Sequence, residues 1–144
     1  MKVNCHVIVG LGETDRELVD LFFQLKSEQV AGYLFSFNPE PGTAMAGRPR
    51  APITSLRRIQ LTKYLIERRE LPYDAIEFDD AGAIARLIAP PALIAECVGL
   101  GTPLMTNGCP DRSGQVAGNR PFGSYRPARS SATIRSSPRR MTSR

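Results

Sequence analysis

The chain has 144 residues, 42% of them apolar, and a formal net charge of +5. This length predicts one domain with a core of ordinary size. The positive charge belongs to the carboxyl end, because residues 126–144 hold six of the 19 basic residues and none of the 14 acidic ones. The remainder is close to neutral, which argues against a domain that binds polyanions over its whole surface.

Residues 126–144 are rich in Arg, Ser, Pro and Thr, with Ile134 and Met141 as the only large apolar side chains. Such a segment cannot bury enough surface to offset its chain entropy, so we predict that it is disordered. It is either an end without a function or a basic arm for RNA or an acidic partner. The first interpretation is favoured, since no aromatic residue is interleaved with the arginines to stack on bases.

The amino end has no recognisable secretory leader, and no run approaches the ~18 apolar residues that cross a membrane. Three cysteines, Cys5, Cys97 and Cys109, are odd in number and widely spaced, which argues against a disulfide framework. We therefore expect a cytoplasmic protein without a membrane partner.

The first structural unit is a strand, a glycine turn and a capped helix. Residues 3–9 are rich in β-branched side chains and predict a buried strand. Gly10 and Gly12 then allow a tight turn. Thr14 and Glu17 have capping-box spacing, and an apolar stripe follows them at Leu18, Leu21, Phe22 and Leu25.

A second such unit follows. Residues 32–38 predict a strand that ends before Pro39, and their spacing from the first strand indicates a parallel βαβ crossover. The next helix is expected to be capped by Thr54 or Ser55 and to run to about Glu70.

The remaining expected elements are a strand at 75–78, a solvated turn at 79–82, a helix from Pro90 or Pro91 to Gly99 or Gly101, and a loop over 102–125. The expected domain boundaries are an α/β part at 1–101, a glycine-rich segment at 102–125 and the tail at 126–144. Two βα units do not close a parallel sheet, whose strands need cover on both faces. We therefore expect the second half of a larger α/β barrel, either truncated or completed by a partner chain.

The carboxyl ends of parallel strands are where ligands bind in such folds. Here those ends are residues 10–13 and 38–40, which would be neighbours in space. Their backbone amides and carbonyls could bind the edge of a flat heterocycle, with Ile8 or Phe37 against its face. A βα turn without a ligand is the alternative, because a Gly-x-Gly turn alone is a weak signal.

Residues 8–14 (IVGLGET) resemble the fifth-strand motif of radical S-adenosylmethionine (SAM) enzymes, Gly-x-Ile-x-Gly-x-x-Glu, with His6 at the first glycine. Residues 35–43 resemble the sixth strand and its Gly-Thr loop, and residues 57–61 resemble the helix after it. Two further segments, 105–110 and 119–123, resemble the carboxyl-terminal loop of the family. The resemblance is strongest to biotin synthase and to the two-protein lipoyl synthases, and its segments follow one another in a consistent order over about residues 3–126.

The resemblance implies the carboxyl-terminal part of a partial (βα)6 TIM-like barrel that holds SAM and a [4Fe–4S] cluster. It implies sulfur insertion into an unactivated C–H bond of a small molecule or a lipoyl-domain-type substrate. Carried over by position, the cofactor-binding residues would be Ile8, Gly10, Gly12, Glu13, Phe37 and Asn38. Glu13 would brace the turn, and Asn38 would approach the adenine.

The family's Cys-x-x-x-Cys-x-x-Cys motif is absent from this sequence, so the chain alone should not cleave SAM. Cys109, in a Gly-Cys-Pro sequence, is a candidate metal ligand for an auxiliary cluster, although one thiolate does not hold a cluster. Cys5 and Cys97 are expected to be small core residues. His6 is expected either to be a structural, hydrogen-bonded histidine or to face SAM or substrate together with Ile8.

Two other functions stay open at this point. One is a radical SAM enzyme that acts on another class of substrate, because the motifs concern the cofactor. The other is a non-catalytic interaction fragment that uses the basic tail, although nucleic acid is the less favoured partner.

Overall fold

The computed structural model describes residues 3–105 and the backbone of 109–110 and 116–117. The described part is a mixed α/β structure, as predicted. Its helices and strands are β1 (Asn4–Val9), α1 (Asp15–Ser27), β2 (Ala31–Ser36), α2 (Ile53–Arg68), β3 (Ile76–Phe78), β4 (Ile84–Leu87), α3 (Pro91–Leu100), β5 (Cys109–Pro110) and β6 (Val116–Ala117). Short 3₁₀ turns at Tyr73–Ala75 and Thr102–Leu104 precede β3 and follow α3.

Strands β1 and β2 are parallel, which confirms the predicted strand pairing. Side chains alternate between the faces of a strand, so Val7 and Val9 point to one face and His6 and Ile8 to the other. Val7 and Val9 are buried with the apolar stripes of α1 and α2. The opposite face of this two-stranded sheet is exposed to solvent at Ile8 and Phe35.

Helix α2 begins two or three residues earlier than predicted. The expected caps, Thr54 and Ser55, are wrong: the helix starts at Ile53, and Pro52 is its N-cap without a side-chain cap. The Pro52 carbonyl accepts the first helical hydrogen bond from the Leu56 amide at 3.1 Å, so the backbone alone suffices. The helix ends at Arg68 and not at Glu70, because Glu70 adopts a left-handed φ of 52°.

The predicted strand at 75–78 is present as β3, but it pairs antiparallel with β4, which the sequence analysis missed. The turn between them contains Asp79, whose carboxylate accepts hydrogen bonds from the Ala81 and Ala83 amides at 3.0 and 2.8 Å. Asp79 is therefore a turn-forming residue, as expected.

Helix α3 begins at Pro91, as predicted, and continues through Gly99 to Leu100. The helix stops at Gly101, which takes a left-handed φ of 68°. Gly99 was therefore wrong as a stop, since a glycine inside a helix costs only about 1 kcal/mol and does not end it. Beyond it, the stretch expected to be a loop contains the Thr102–Leu104 turn and the β5–β6 pair.

Each of the three sheets in the described residues has two strands, and none closes into a barrel. The barrel assignment therefore stays a prediction. The segment 119–123 and the tail at 126–144 lie outside the described residues.

Candidate functional site

The ends of β1 and β2 lie side by side. Val9 pairs with Ser36, and one residue further the Phe37 amide donates to the Val9 carbonyl at 2.8 Å. A Cβ built on Gly10 would lie 3.4 Å from the Cβ of Phe37. The two segments that carry the predicted site residues are therefore neighbours at one edge of the sheet, as the parallel pairing implies.

The glycines of the turn are required by its backbone. Gly10 has φ of 106° and Gly12 has φ of 113°, values that residues with a Cβ rarely adopt. A Cβ on Gly10 would also meet the Cβ of Ala51 at 3.2 Å. Gly10 thus lets the loop that leads into α2 approach the end of β1 closely.

The Glu13 carboxylate closes the turn. Its two oxygens accept hydrogen bonds from the Gly10 amide at 2.6 Å and from the Leu11 amide at 2.8 Å. Glu13 therefore braces the turn, as expected. Both amides already donate to a carboxylate of the chain itself, so the expectation that they bind a ligand stays a prediction that would require Glu13 to release them.

The first turn of α1 is also occupied by internal hydrogen bonds. Thr14 and Glu17 form the predicted capping box, in which the Glu17 amide donates to Thr14 Oγ1 and the Thr14 amide to Glu17 Oε2. The hydrogen bond from the Thr14 amide lowers the pKa of the Glu17 carboxyl. The Arg16 amide donates to the Gly82 carbonyl at 2.9 Å. Because these amides have protein partners, this turn is unlike the open phosphate-binding turns found at other helix N-termini.

The β3–β4 hairpin packs against the first turn of α1. The Ile84 amide donates to Asp15 Oδ2 at 2.9 Å, and Arg58 Nη1 donates to the Ile84 carbonyl at 2.7 Å. A Cβ on Gly82 would lie 3.1 Å from the Thr14 Cβ, which shows how closely the hairpin approaches. Helices α1 and α2 and the hairpin thus fix the position of the glycine turn together.

Ile8 and Phe37, the two expected apolar contacts for a heterocycle, differ in accessibility. Ile8 is 47% exposed, whereas Phe37 is 9% exposed. Ile8 is therefore open to a ligand and Phe37 belongs to the interior of the domain. Asn38 is exposed next to them, and its Nδ2 donates to Glu40 Oε1 at 3.1 Å.

His6 shares the open face of the sheet with Ile8. Its ring lies 5.7 Å from the Tyr33 ring in an edge-on arrangement and 5.1 Å from the Phe35 ring. The imidazole and Ile8 thus face the same space, as the strand alternation predicts, and contact between His6 and a ligand stays a prediction. Together with the half-buried Tyr33, the exposed side chains of His6, Ile8 and Phe35 form a surface that we call the open sheet face (His6, Ile8, Tyr33 and Phe35).

Arg48 contacts the glycine turn, which the sequence analysis did not predict. Its Nη2 lies 2.9 Å from the position that a Cβ on Gly12 would occupy, so the guanidinium rests directly on the glycine turn. The Arg48 amide donates to the Met45 carbonyl at 3.0 Å, a turn contact that fixes its backbone. No local signal could have identified it, since residues 44–52 have neither periodicity nor a motif.

The described residues do not fit an iron–sulfur cluster. No group of three or more His, Cys, Asp or Glu side chains among them is arranged to hold a metal ion. Cys97 is fully buried and Cys5 is half-buried against the core, which fits their expected role. The backbone of Cys109 lies in β5, and its side chain is outside the described part, so its role as a ligand stays a prediction.

Comparisons with protein-family models, with curated proteins and with solved structures gave no significant match. Among the described residues, none of the helices is both long and apolar enough to cross a lipid bilayer.

Proposed function

We propose that this chain provides the nucleoside-binding part of a radical SAM enzyme, with sulfur insertion of the biotin or lipoyl synthase type as its reaction. The observation that carries the proposal is the Glu13 clamp on Gly10 and Leu11 beside the end of β2. A Gly-x-x-Glu spacing is expected to close a turn in this way at the carboxyl end of a strand. In the family that the sequence resembles, that end contacts the adenosine of SAM.

The contacts available to adenosine follow from the geometry of the site. Since the Gly10 and Leu11 amides are engaged, the ligand would meet side chains and carbonyl oxygens instead. Ile8 offers an exposed apolar surface for a flat base, and Asn38 offers an amide at the neighbouring strand end. Stacking of a base on an aliphatic side chain lowers the free energy of binding, because it removes the apolar surfaces of both groups from water.

The open sheet face supports a larger barrel. Parallel strands are almost always covered on both faces, and here the face that carries His6, Ile8 and Phe35 is accessible. In the proposed barrel, further strands would continue the sheet and turn this face inward. The barrel would then enclose the ligand that lies across the strand ends.

When bound, SAM and a reduced cluster would supply a 5′-deoxyadenosyl radical that abstracts a hydrogen atom. The described residues do not fit the cluster, so we assign this chain no step that involves it. The proposed role of the chain is to bind and orient the nucleoside in a reducing, cytoplasmic setting, with a small molecule or a lipoyl-domain-type protein as substrate. A radical SAM enzyme for another substrate is the alternative, since the site concerns the cofactor only.

Binding of 5′-methylthioadenosine and of S-adenosylhomocysteine to the whole chain, measured by calorimetry, tests the proposal. Ile8→Ala should weaken both ligands several-fold, because Ile8 is 47% exposed and covering that part is worth about half of the roughly 1.5–3 kcal/mol that full burial contributes. Val3→Ala is the matched control, since Val3 is also exposed, at 53%, but directly precedes β1, at the end away from the glycine turn. Both variants should keep the wild-type melting temperature.

Absence of binding to the wild-type chain at millimolar ligand would refute the proposed function. Equal weakening by Ile8→Ala and Val3→Ala would refute the location of the site. A non-catalytic interaction fragment would instead be indicated if an acidic protein or RNA bound in a salt-dependent way while neither nucleoside did.

A further inference from the structure

The outer side of strand β1 is an open sheet edge. A strand in a parallel pair bonds to its neighbour through alternate residues only. The carbonyls of Val3 and Val9 accept from the Ala31 and Phe37 amides of the β2 segment, at 3.3 and 2.8 Å. The residues that alternate with them direct their amides and carbonyls away from β2. These residues are Asn4, His6 and Ile8, all exposed and, within residues 3–105, without a hydrogen-bond partner for those backbone groups.

Strand β1 lacks the features that keep sheet edges from pairing. Proteins protect such edges with charged side chains, prolines or bulges. The strand Asn4–Val9 has no Lys, Arg, Asp, Glu or Pro, and its register with β2 is unbroken. Strand β2, in contrast, has an ion pair beside it, since a Cβ on Gly32 would lie 3.3 Å from Lys63 Cε and 3.8 Å from Glu67 Oε1. A further strand would therefore pair more readily with β1 than with β2.

The outer edge of β1 is complementary to itself. His6 is the middle one of the three outward-facing residues, so a two-fold axis at His6 would place it opposite the partner's His6. The same axis would place Asn4 opposite the partner's Ile8. Each outward amide would then meet a carbonyl, as in the hydrogen-bonded pairs of an antiparallel ladder. Because the strand has no acidic side chain, lysine or arginine, the pairing brings no such like charges together.

We propose that the chain forms a two-fold homodimer in which β1 pairs antiparallel with β1 of a second copy. The two sheets would join into one of four strands, with α1 and α2 of both copies on the face that carries Val7 and Val9. Two strands alone are marginally stable, whereas four are a common sheet size. Two-fold dimers are also the commonest oligomers. The contact runs along the edge of β1 and not across the strand ends, so the dimer does not depend on the proposed nucleoside site.

Sedimentation velocity of the whole chain at about 100 µM tests the dimer, since a Kd of about 10 µM or tighter places most chains in the dimer at that concentration. His6→Lys should raise the dimer Kd about tenfold or more, because two ammonium groups would face each other at the axis. His6→Pro removes the outward amide without removing a hydrogen bond to β2, and should also give a monomer. Circular dichroism checks that both variants are folded.

Ile88→Lys is the matched control, because Ile88 is similarly exposed, at 51%, but lies outside β1. It should leave the dimer Kd within about twofold. His6→Cys and Tyr33→Cys locate the axis. Mild oxidation should add a covalent dimer for His6→Cys, since residues paired at the axis have Cα atoms about 5.5 Å apart. Tyr33→Cys should behave like the wild-type chain, because three strand spacings of about 4.8 Å would separate it from its counterpart.

A wild-type chain that stays monomeric would overturn the dimer and leave the edge to a strand of another protein. A dimer that persists in folded His6→Lys and His6→Pro, or one that Ile88→Lys dissociates equally, would overturn its location at β1. A covalent dimer with Tyr33→Cys and not with His6→Cys would overturn the axis at His6.

Discussion

Asp15 Oδ2 accepts a hydrogen bond from the Ile84 amide at 2.9 Å, although 69 residues of sequence separate them. Arg58 completes the contact by donating to the Ile84 carbonyl at 2.7 Å. Through this contact the β3–β4 hairpin is attached to the first turn of α1, directly after the glycine turn. The position of the candidate site thus depends on three segments that are far apart in the chain.

Asp15→Ala should detach the hairpin from the helix. The Ile84 amide would lose a charged acceptor, at a cost of about 1.5–3 kcal/mol. Hydrogen exchange should show lost protection of the Ile84 amide, together with a lower urea midpoint. Asp80→Ala is the control, because Asp80 is exposed in the same hairpin turn. Unchanged exchange at Ile84 in the Asp15 variant would contradict the contact.

Glu13→Gln should loosen the glycine turn. Glu13 uses a different oxygen for each amide, so a glutamine in the same position would place its NH₂ group against either the Gly10 or the Leu11 amide, and one of the two hydrogen bonds would be lost. The expected loss of stability is about 1–2 kcal/mol, measured by urea unfolding. Glu28→Gln is the matched control, since Glu28 makes a single exposed side-chain contact at the end of α1. Equal stability of the two variants would argue against the clamp.

Thr14→Ala removes the side-chain cap of α1. Because Thr14 Oγ1 accepts from the Glu17 amide at 3.2 Å, the variant should lose about 1 kcal/mol of stability. Thr14→Ser keeps the hydroxyl and should stay close to wild type in thermal unfolding. A serine variant as unstable as the alanine variant would point to the methyl group, which lies near Gly82, and not to the hydroxyl.

Glu17 makes the free energy of unfolding depend on pH in the acidic range. The hydrogen bond from the Thr14 amide lowers its pKa from the ordinary value of 4.5. The folded state therefore binds this proton less readily than the unfolded state does, and the contribution of the ionised carboxyl is present above pH 4.5 and lost as pH falls through the lower folded pKa. Glu17→Gln should flatten the stability curve in that acidic window in urea titrations. An unchanged slope below pH 4.5 would count against the capping box.

Alanine substitutions at three glycines separate two costs to stability, the strain of a positive φ and the steric clash of the new Cβ with its neighbours. Gly10→Ala should cost about 1–3 kcal/mol, because φ is 106° and Ala51 lies 3.2 Å from the new Cβ. Gly42→Ala meets the same kind of φ restriction, at 82°, but has no atom within 4 Å of its Cβ position. It should therefore cost less stability than Gly10→Ala and more than Gly47→Ala. Gly47→Ala has neither restriction and should be neutral or slightly stabilising in chemical denaturation. Any other order of the three would contradict the geometry described for the turn.

Local chemistry explains why the sequence predicted the first βα unit well. A run of β-branched residues before Gly10 specifies a strand, and the Thr14–Glu17 spacing specifies where the next helix begins. These signals act between residues that are close in sequence, so they need no knowledge of the rest of the molecule. The predicted start of α2 was wrong because this helix has no side-chain cap. Its N-cap is Pro52, whose backbone carbonyl accepts the first helical hydrogen bond, and such a cap leaves no signal in the sequence.

Strand β4 was missed because its sequence, Ile84–Leu87, contains alanine and arginine between the apolar ends and has no alternation of its own. Its pairing with β3 and the hydrogen bond of Ile84 to Asp15 make it a strand. The contact between Arg48 and Gly12 was missed for a related reason. A loop arginine carries no local pattern, so its contacts are known only once the chain is folded.

By itself, the sequence determined the first strand, the glycine turn, the cap of α1 and the parallel partner strand. Only the tertiary structure decided that Glu13 occupies the Gly10 and Leu11 amides, that Phe37 is buried while Ile8 is open, and that Arg48 rests on Gly12. The physical reason is range: propensity and capping act within a few residues, whereas burial and charge pairing depend on segments that only folding brings into contact.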